Sequence, residues 1–194
     1  MSLSAAVLAA LINQCAPNVS PDTMNALIMT ESGANPYVIA NVSDGVSKYF
    51  KDEKGAIGYA EKLTTENKNF SAGLTQIYSK NFPSLNLTYK TVFDPCTNIK
   101  AGAAVLTDNY LKQKEGTDYQ KILRALSLYY SGNELTGFKK EKKFNNTSYL
   151  ERITRNANSY IVPSIRNKTD ESEIAPPNDE KKTSPEWDVF GDFN

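Results

Sequence analysis

Hydrophobic residues recur every three or four positions through much of the chain, as they do on one face of an α-helix. This spacing predicts six helices, at 4–14, 21–31, 55–67, 95–114, 118–130 and 147–160. Strand-like alternation is scarce, and the best candidate is a short segment at 71–78, where Gly73 indicates a turn or a close backbone approach. Residues 32–54 read as a loop too long for a simple connector, and such loops often line a site. The pattern therefore predicts a mainly α-helical domain with at most a short β element.

The helical periodicity stops near Arg166, and the rest of the chain is rich in charge and proline. Such a composition cannot bury enough apolar surface to fold. We therefore expect one domain over 1–165 and a disordered acidic tail over 166–194. The end of the tail is instead aromatic and apolar, with Trp187, Val189, Phe190 and Phe193. That composition is typical of a short docking motif, although a merely adhesive tail end is an equal alternative.

Charge is balanced overall, with 22 basic and 22 acidic residues, but it is unevenly distributed. The tail holds 4 of the basic and 8 of the acidic residues, which leaves the body at +4. Nucleic-acid binding would need a stronger and better localised basic surface, so no nucleic-acid partner is expected. The lysine-rich stretch 139–143, KKEKK, is interpreted as a solvated loop.

The chain contains no histidine, which excludes Ser-His-Asp and Cys-His catalysis in their usual forms and removes the commonest zinc ligand. Carboxylates, tyrosines and lysines remain as acids and bases. The two cysteines, Cys15 and Cys96, are not at a metal-ligand spacing, and they are either bonded to each other or unpaired. Neither a metal nor a cofactor is expected.

One carboxylate stands out, because Glu31 ends the apolar helix predicted at 21–31. Ser20 is a possible N-cap and Pro21 fits the first helical position, so Glu31 falls in the last turn. The helix dipole disfavours a negative charge there, and the neighbouring residues are largely apolar. Both effects favour the protonated acid and predict a raised pKa for Glu31.

Several separated motifs follow Glu31-Ser32 in a fixed order: SAGLTQIYSKNF at 71–82, FDPCTNIKAGAAVLTDNYL at 93–111 and ALSLYYSGN at 125–133. This order resembles the lytic transglycosylases that share the goose-type lysozyme fold. Their pattern is Glu-Ser, then Gly-Leu-Met-Gln, then a helix-opening segment of small residues, then Ala-Tyr-Asn and a glycine. The resemblance is closer to the transglycosylase subunit of type IV secretion systems, and it runs from QCAPNVSPDTMNALIMTESGANPYVI to WDVFG in the tail.

The resemblance implies a role for each matching residue. Glu31 would be the catalytic acid, Gln76 would contact the glycan, and the hydroxyl of Tyr129 would lie beside Glu31. Further substrate-binding candidates, each with an alternative role as a cap, turn or core residue, are Ser32, Ser71, Gly73, Asn133 and Tyr149. Two motifs depart from the pattern. Thr75 replaces the motif Met, and the usual Ala-Tyr-Asn reads Leu128, Tyr129 and Tyr130, so the role of the Asn could pass to Asn133.

The implied activity is cleavage of the β-1,4 bond between N-acetylmuramic acid and N-acetylglucosamine in peptidoglycan, with a 1,6-anhydromuramic product. One carboxyl suffices, because the C6 hydroxyl of muramic acid replaces water as the nucleophile. The resemblance further implies local opening of the cell wall in the periplasm, glycan strands as partners and secretion components that bind the tail. An exported role would place Cys15 and Cys96 in an oxidising compartment and favours a disulfide between them.

The N-terminal apolar stretch at 4–12 is short, lacks a basic flank and is not followed by a clear cleavage site. We expect it to be the first helix of a mature domain whose signal peptide has been removed. No membrane span is expected.

Two alternatives use the same fold. A lysozyme-like hydrolase would need a second carboxylate about 6.5 to 9.5 Å from Glu31 to activate water. The sequence offers five candidates for it: Asp44, Asp52, Glu53, Glu61 and Glu66. A non-catalytic glycan-binding assembly factor is the other alternative, and the departures at Thr75 and Tyr130 favour it slightly.

Overall fold

Polar caps and prolines start the helices of this protein, as seen in a computed structural model that describes residues 2–158. The side chain of Asp94 accepts a hydrogen bond from the Thr97 backbone N–H, and Pro95 follows at the first helical position. Thr117 and Gln120 form a reciprocal capping box. The helices are α1 (Ala5–Cys15), α2 (Pro21–Ser32), α3 (Glu53–Thr65), α4 (Pro95–Leu111), α5 (Asp118–Ser131) and α6 (Tyr149–Asn158). The prediction of a mainly helical fold is confirmed.

A small antiparallel sheet accompanies the helices, with the strand order β2-β1-β3-β4. Its strands are β1 (Val38–Asn41), β2 (Val46–Tyr49), β3 (Phe70–Ala72) and β4 (Ile77–Tyr78). The predicted loop at 32–54 was therefore wrong in part, since it contains the β1–β2 hairpin. Strands of four residues are too short to show a clear alternation, but Asp44-Gly45 between valine-rich segments is typical of a hairpin turn.

The interior consists of two hydrophobic clusters. One is built by α1, α2, α4, α5 and α6 around residues such as Leu27 and Ile99, and the other joins the sheet to α3 around Phe70 and Phe93. Tyr129 of α5 packs against both clusters. The side chain of Tyr129 therefore lies where the helical part of the domain meets the sheet.

A disulfide joins Cys15, the last residue of α1, to Cys96 in the first turn of α4, with a Cα–Cα distance of 5.4 Å. It closes a sequence separation of 81 residues. The bond ties the N-terminal helix to the helix that crosses both hydrophobic clusters.

Within residues 2–158, none of the helices combines the length and apolar character that crossing a bilayer requires. The same part of the chain contains no group of three or more potential metal-ligating side chains. The predicted boundary at 165, the tail and its aromatic end lie outside the described residues.

Candidate active site

Glu31 occupies the last turn of α2, as the sequence predicts. Gly33 ends the helix in the left-handed conformation, with φ of +58°, and its N–H donates to the Met29 carbonyl oxygen. The Glu31 side chain is half-buried and lines a cleft. The hydroxyl of Tyr149, the first residue of α6, donates a 2.5 Å hydrogen bond to Glu31 Oε1.

Burial raises the pKa of Glu31 to about 7, because protein atoms replace the water that would solvate the carboxylate. The Tyr149 hydrogen bond and the positive charge of Arg152 oppose this shift, since both stabilise the charged form. A carboxyl group with this pKa holds a proton in much of the population near neutral pH.

Two tyrosines beside Glu31 stay neutral. Burial, and then the charge of Glu31, raises the pKa of Tyr129 and of Tyr149 well above the ordinary value. The Tyr129 hydroxyl donates to the backbone carbonyl of Thr75 at 2.7 Å, whereas Tyr149 donates to Glu31 itself. The acid is thus surrounded by neutral donors, with Arg152 as the cation that acts on it.

The cleft has a volume of about 950 Å³ and runs between the sheet and helices α4 and α5. Polar side chains supply much of its wall, namely Ser71, Gln76, Tyr78, Asn81, Ser84, Asp108, Asn109, Lys112, Tyr129, Tyr130 and Ser131. Hydroxyl, amide and aromatic groups of this kind suit a ligand that presents many hydroxyls, as an oligosaccharide does.

Four residues predicted for the site line this cleft: Glu31, Ser71, Gln76 and Tyr129. Gln76 has a positive φ of +50°, and its amide nitrogen donates to the carbonyl oxygens of Val38 and Gly73. Because both bonds use Nε2, a contact from Gln76 to a ligand falls to Oε1. Tyr149 reaches the site through its bond to Glu31.

Three other candidates for substrate binding do not line the cleft. The Ser32 hydroxyl is buried and donates to the Ile28 carbonyl of its own helix. Gly73, with φ of +83°, packs against the buried side chain of Asn98. Asn133 accepts hydrogen bonds through Oδ1 from the N–H groups of residues 135 and 136, which closes a turn. Their local roles are those of a helix-end, turn or packing residue.

The two departures from the family pattern have different surroundings. Thr75 is fully buried, and its hydroxyl bonds Asn98 Oδ1 at 2.7 Å, so this side chain does not shape the cleft wall. Tyr130 does line the cleft, and its ring stacks on Tyr149 with a centroid distance of 4.3 Å. Of the two departures, the one at Tyr130 changes the site.

The structure brings none of the five carboxylates proposed for a hydrolase to the cleft. Asp44 pairs with Lys68 at 2.6 Å, Asp52 caps α3, and the other three belong to α3 or its C-cap. Asp108 of α4 does line the cleft, where it pairs with Lys112 at 2.6 Å. Among the described residues, Glu31 and Asp108 are the carboxylates of the cleft wall.

The sequence analysis identifies neither Glu141 nor Arg152, although both lie close to the site. The sequence predicts a solvated loop at 139–143, yet both Glu141 oxygens accept hydrogen bonds from the Tyr130 hydroxyl, at 2.8 and 3.0 Å. The Glu141 side chain is 22% exposed, against 59% for Lys140. No sequence pattern marks this contact, since the flanking lysines give the whole segment a solvated appearance.

A smaller cavity of about 320 Å³ lies near the start of α2, between Thr23, Leu106 and Ile122. Its carboxylate, Asp118, is already bonded to the Tyr110 hydroxyl at 2.7 Å and lies 3.6 Å from Lys121 Nζ. Because Glu31 does not line this cavity, the larger cleft is the candidate active site.

Comparison with known proteins identifies the family to which this helical domain with its acid-bearing cleft belongs. The sequence model of the family described as the transglycosylase SLT domain matches residues 9–151 of this chain. The chain belongs to this family, as the sequence motifs predicted.

Its similar relatives carry more specific names. The type IV secretion system protein virB1 of Brucella abortus is 36% identical over 168 residues, which cover 82% of this chain and 70% of the relative. Protein virB1 of Agrobacterium tumefaciens is 28% identical, covering 98% of this chain and 75% of the relative. No solved structure matches the chain significantly.

Proposed function

We propose that this protein is a peptidoglycan lytic transglycosylase of a type IV secretion system, with Glu31 as its acid and base. Membership of the transglycosylase SLT family and the similarity to virB1 proteins support the reaction class and the setting. The observation that carries the proposal is a carboxyl group with a pKa of about 7 that lines a large cleft with many polar side chains.

The first step is proton donation. Protonated Glu31 gives its proton to the glycosidic oxygen as the bond from that oxygen to C1 of N-acetylmuramic acid breaks. The leaving N-acetylglucosamine departs with a new hydroxyl at C4. Tyr149 already donates to Oε1, so its bond holds the carboxyl orientation and strengthens as the negative charge develops on Glu31.

The second step regenerates the acid. The C6 hydroxyl of the same muramic residue bonds to C1 and closes the 1,6-anhydro ring, while the Glu31 carboxylate accepts the hydroxyl proton. No water is consumed, and the total mass of the products equals that of the substrate. The step requires no second carboxylate, in agreement with a cleft whose other acid, Asp108, is held by Lys112.

The product distinguishes this reaction from hydrolysis. Purified protein is incubated with peptidoglycan, and the released muropeptides are analysed by mass spectrometry before and after borohydride reduction. We expect muramic ends that are lighter than hydrolytic ends by one water and that resist reduction. Predominantly reducible ends would instead make the protein a lysozyme-like hydrolase, with Asp108 as the acid to test for water activation. Glycan binding without any product would support a non-catalytic assembly factor.

The remaining parts of the proposal concern place and partners. Glycan strands of peptidoglycan are the substrate, and a wall-directed activity places the protein in the periplasm. We also propose that residues 1–165 carry the activity, while the aromatic end of 166–194 binds other secretion components. The apolar side chains at that end, including Trp187 and Phe190, support a docking role.

A further inference from the structure

Charged and aromatic side chains form a connected cluster around Tyr149. The ring of Tyr130 stacks on that of Tyr149 at an interplanar angle of 13°, and its hydroxyl bonds both oxygens of Glu141. Tyr149 in turn donates to Glu31. A continuous path of contacts therefore leads from the loop residue Glu141 to the acid.

Arg152 of α6 lies in the middle of this cluster. Its guanidinium group is 3.8 Å from the centroid of the Phe144 ring and 5.6 Å from that of Tyr149. One nitrogen is 3.5 Å from Glu141 Oε1, and the other donates to a backbone carbonyl at Thr147. The side chain is only 16% exposed, so its charge is poorly screened by solvent.

We propose that Glu141 and Arg152 are positioning residues for Glu31, which hold the Tyr130–Tyr149 stack beside the acid and balance each other's charge there. The inference rests on the proposed function, since it assigns these residues to the acid of that reaction. Tyr130, which stands where the family pattern has Asn, provides the link that Glu141 needs.

The charges around the acid define the expected effects. Tyr149 and Arg152 face Glu31 from α6, and Tyr129 faces it from α5. Glu141 is the anion that faces Arg152, and Lys143 lies 3.2 Å from Glu141 on the same loop. Without the charge of Glu141, Arg152 would stabilise the Glu31 carboxylate more strongly. Without Arg152, the carboxylate would lose a stabilising charge.

The test uses the full chain, and the variants that probe the two residues are Glu141→Gln, Arg152→Gln and Arg152→Lys. The Glu31 carboxyl is titrated by ¹³C NMR, with Glu31→Gln to assign its signal, and the pH dependence of muropeptide release is measured alongside. We expect Glu141→Gln to lower the Glu31 pKa and Arg152→Gln to raise it, each by roughly half a unit. Arg152→Lys keeps the charge and should restore a value near that of the wild type.

Muropeptide release should change with pH in parallel with the protonation of Glu31, because the protonated acid is the active form. Its fall at alkaline pH should move to lower pH in Glu141→Gln and to higher pH in Arg152→Gln. A general loss of stability would not move the two variants in opposite directions. Lys140→Gln, a charge change at an exposed position of the same loop, is the matched control and should leave the titration unchanged.

The two readouts separate this inference from the proposed function. Suppose that the wild type is active. A Glu31 pKa that Glu141→Gln and Arg152→Gln leave unchanged, or that both shift in the same direction, would then overturn the positioning role. Opposite pKa shifts in a protein that releases no muropeptides would support the positioning role and overturn the proposed activity.

Discussion

Tyr149 and Glu31 are 118 residues apart in the sequence, yet the hydroxyl of one donates a 2.5 Å hydrogen bond to the carboxyl of the other. A second bond joins the same two helices, from Asn156 Nδ2 to Thr30 Oγ1 at 2.8 Å. The orientation of the acid therefore depends on how α6 packs against α2.

Replacing Glu31 with Gln should abolish glycan cleavage and preserve the fold. The amide is nearly isosteric and can still accept the Tyr149 hydrogen bond, but it cannot donate a proton to the leaving oxygen. We expect turnover to fall by about 10²-fold or more, measured as released muropeptides per enzyme. A variant that keeps more than roughly a tenth of wild-type turnover would show that another group supplies the proton.

The same substitution should change how stability depends on pH. The Glu31 pKa is about 7 in the folded protein and 4.5 as its ordinary value, so the folded state binds more protons between these values. Wild-type stability contributed by this group is thus present below pH 4.5 and is lost as pH rises through 7. Glu31→Gln removes this loss, and we expect it to be more stable than the wild type at pH 8 by up to about 3 kcal/mol.

Urea unfolding at several pH values measures this effect. The stability difference between variant and wild type should grow from pH 5 to pH 8 and then level off. A difference that is the same at every pH would mean that burial does not raise the Glu31 pKa.

The disulfide between Cys15 and Cys96 should stabilise the domain, because it restricts the unfolded chain over a separation of 81 residues. The double variant Cys15→Ala/Cys96→Ala should lose about 2–4 kcal/mol of unfolding free energy in urea. Reductant should destabilise the wild type and leave the double variant unaffected. Titration of two free thiols in the unfolded, unreduced protein would contradict the pairing.

The helices are the part of this fold that could be predicted from sequence, because they are long enough to show their hydrophobic periodicity. Each helix spans several turns, so its apolar spacing is visible, and caps such as Asp94 and Thr117 confirm where helices begin. The β1–β2 hairpin escaped prediction because its strands have four residues each.

The site was only partly predictable for a related reason. Glu31 was found from its position at the end of a helix, and Gln76 and Tyr129 were found from the family motifs. The sequence could not show that Ser32 bonds its own helix, or that Glu141 in a lysine-rich segment contacts Tyr130. The Glu141 contact depends on tertiary packing between side chains, which no local pattern encodes. The Ser32 bond is local, but a serine at a helix end can make it or can face a ligand, and the sequence does not decide between the two.

Removing the tail should separate glycan cleavage from secretion. Because every described contact to Glu31 comes from residues before 159, truncation after Ile165 should leave muropeptide release by the purified protein unchanged. Cells in which the truncated protein replaces the full chain should show impaired assembly or secretion. Substituting Trp187 and Phe190 with Ala in the full chain should reproduce the cellular defect. Loss of cleavage in the purified truncated protein would show that the catalytic domain extends into the tail.

Gly73 should prove essential for folding, because its α-carbon has no room for a side chain. A Cβ there would lie 2.1 Å from Asn98 Nδ2 and 2.8 Å from the carbonyl oxygen of Val92, at a φ of +83°. Asn98 cannot give way cheaply, since its amide also bonds the backbone of Ala72 and Thr75. We expect Gly73→Ala to lose at least about 3 kcal/mol or to fail to fold.

Gly33→Ala is the matched control for Gly73→Ala. Gly33 also has a positive φ, +58°, but no atom lies within 4 Å of a Cβ at that position. The free energy of unfolding of the control in urea should therefore fall by only about 1–2 kcal/mol, which is the cost of placing alanine in the left-handed conformation. Equal losses in the two variants would mean that Asn98 does not constrain Gly73. A stable Gly73→Ala variant that binds glycan more weakly would instead support the predicted role of Gly73 in substrate binding.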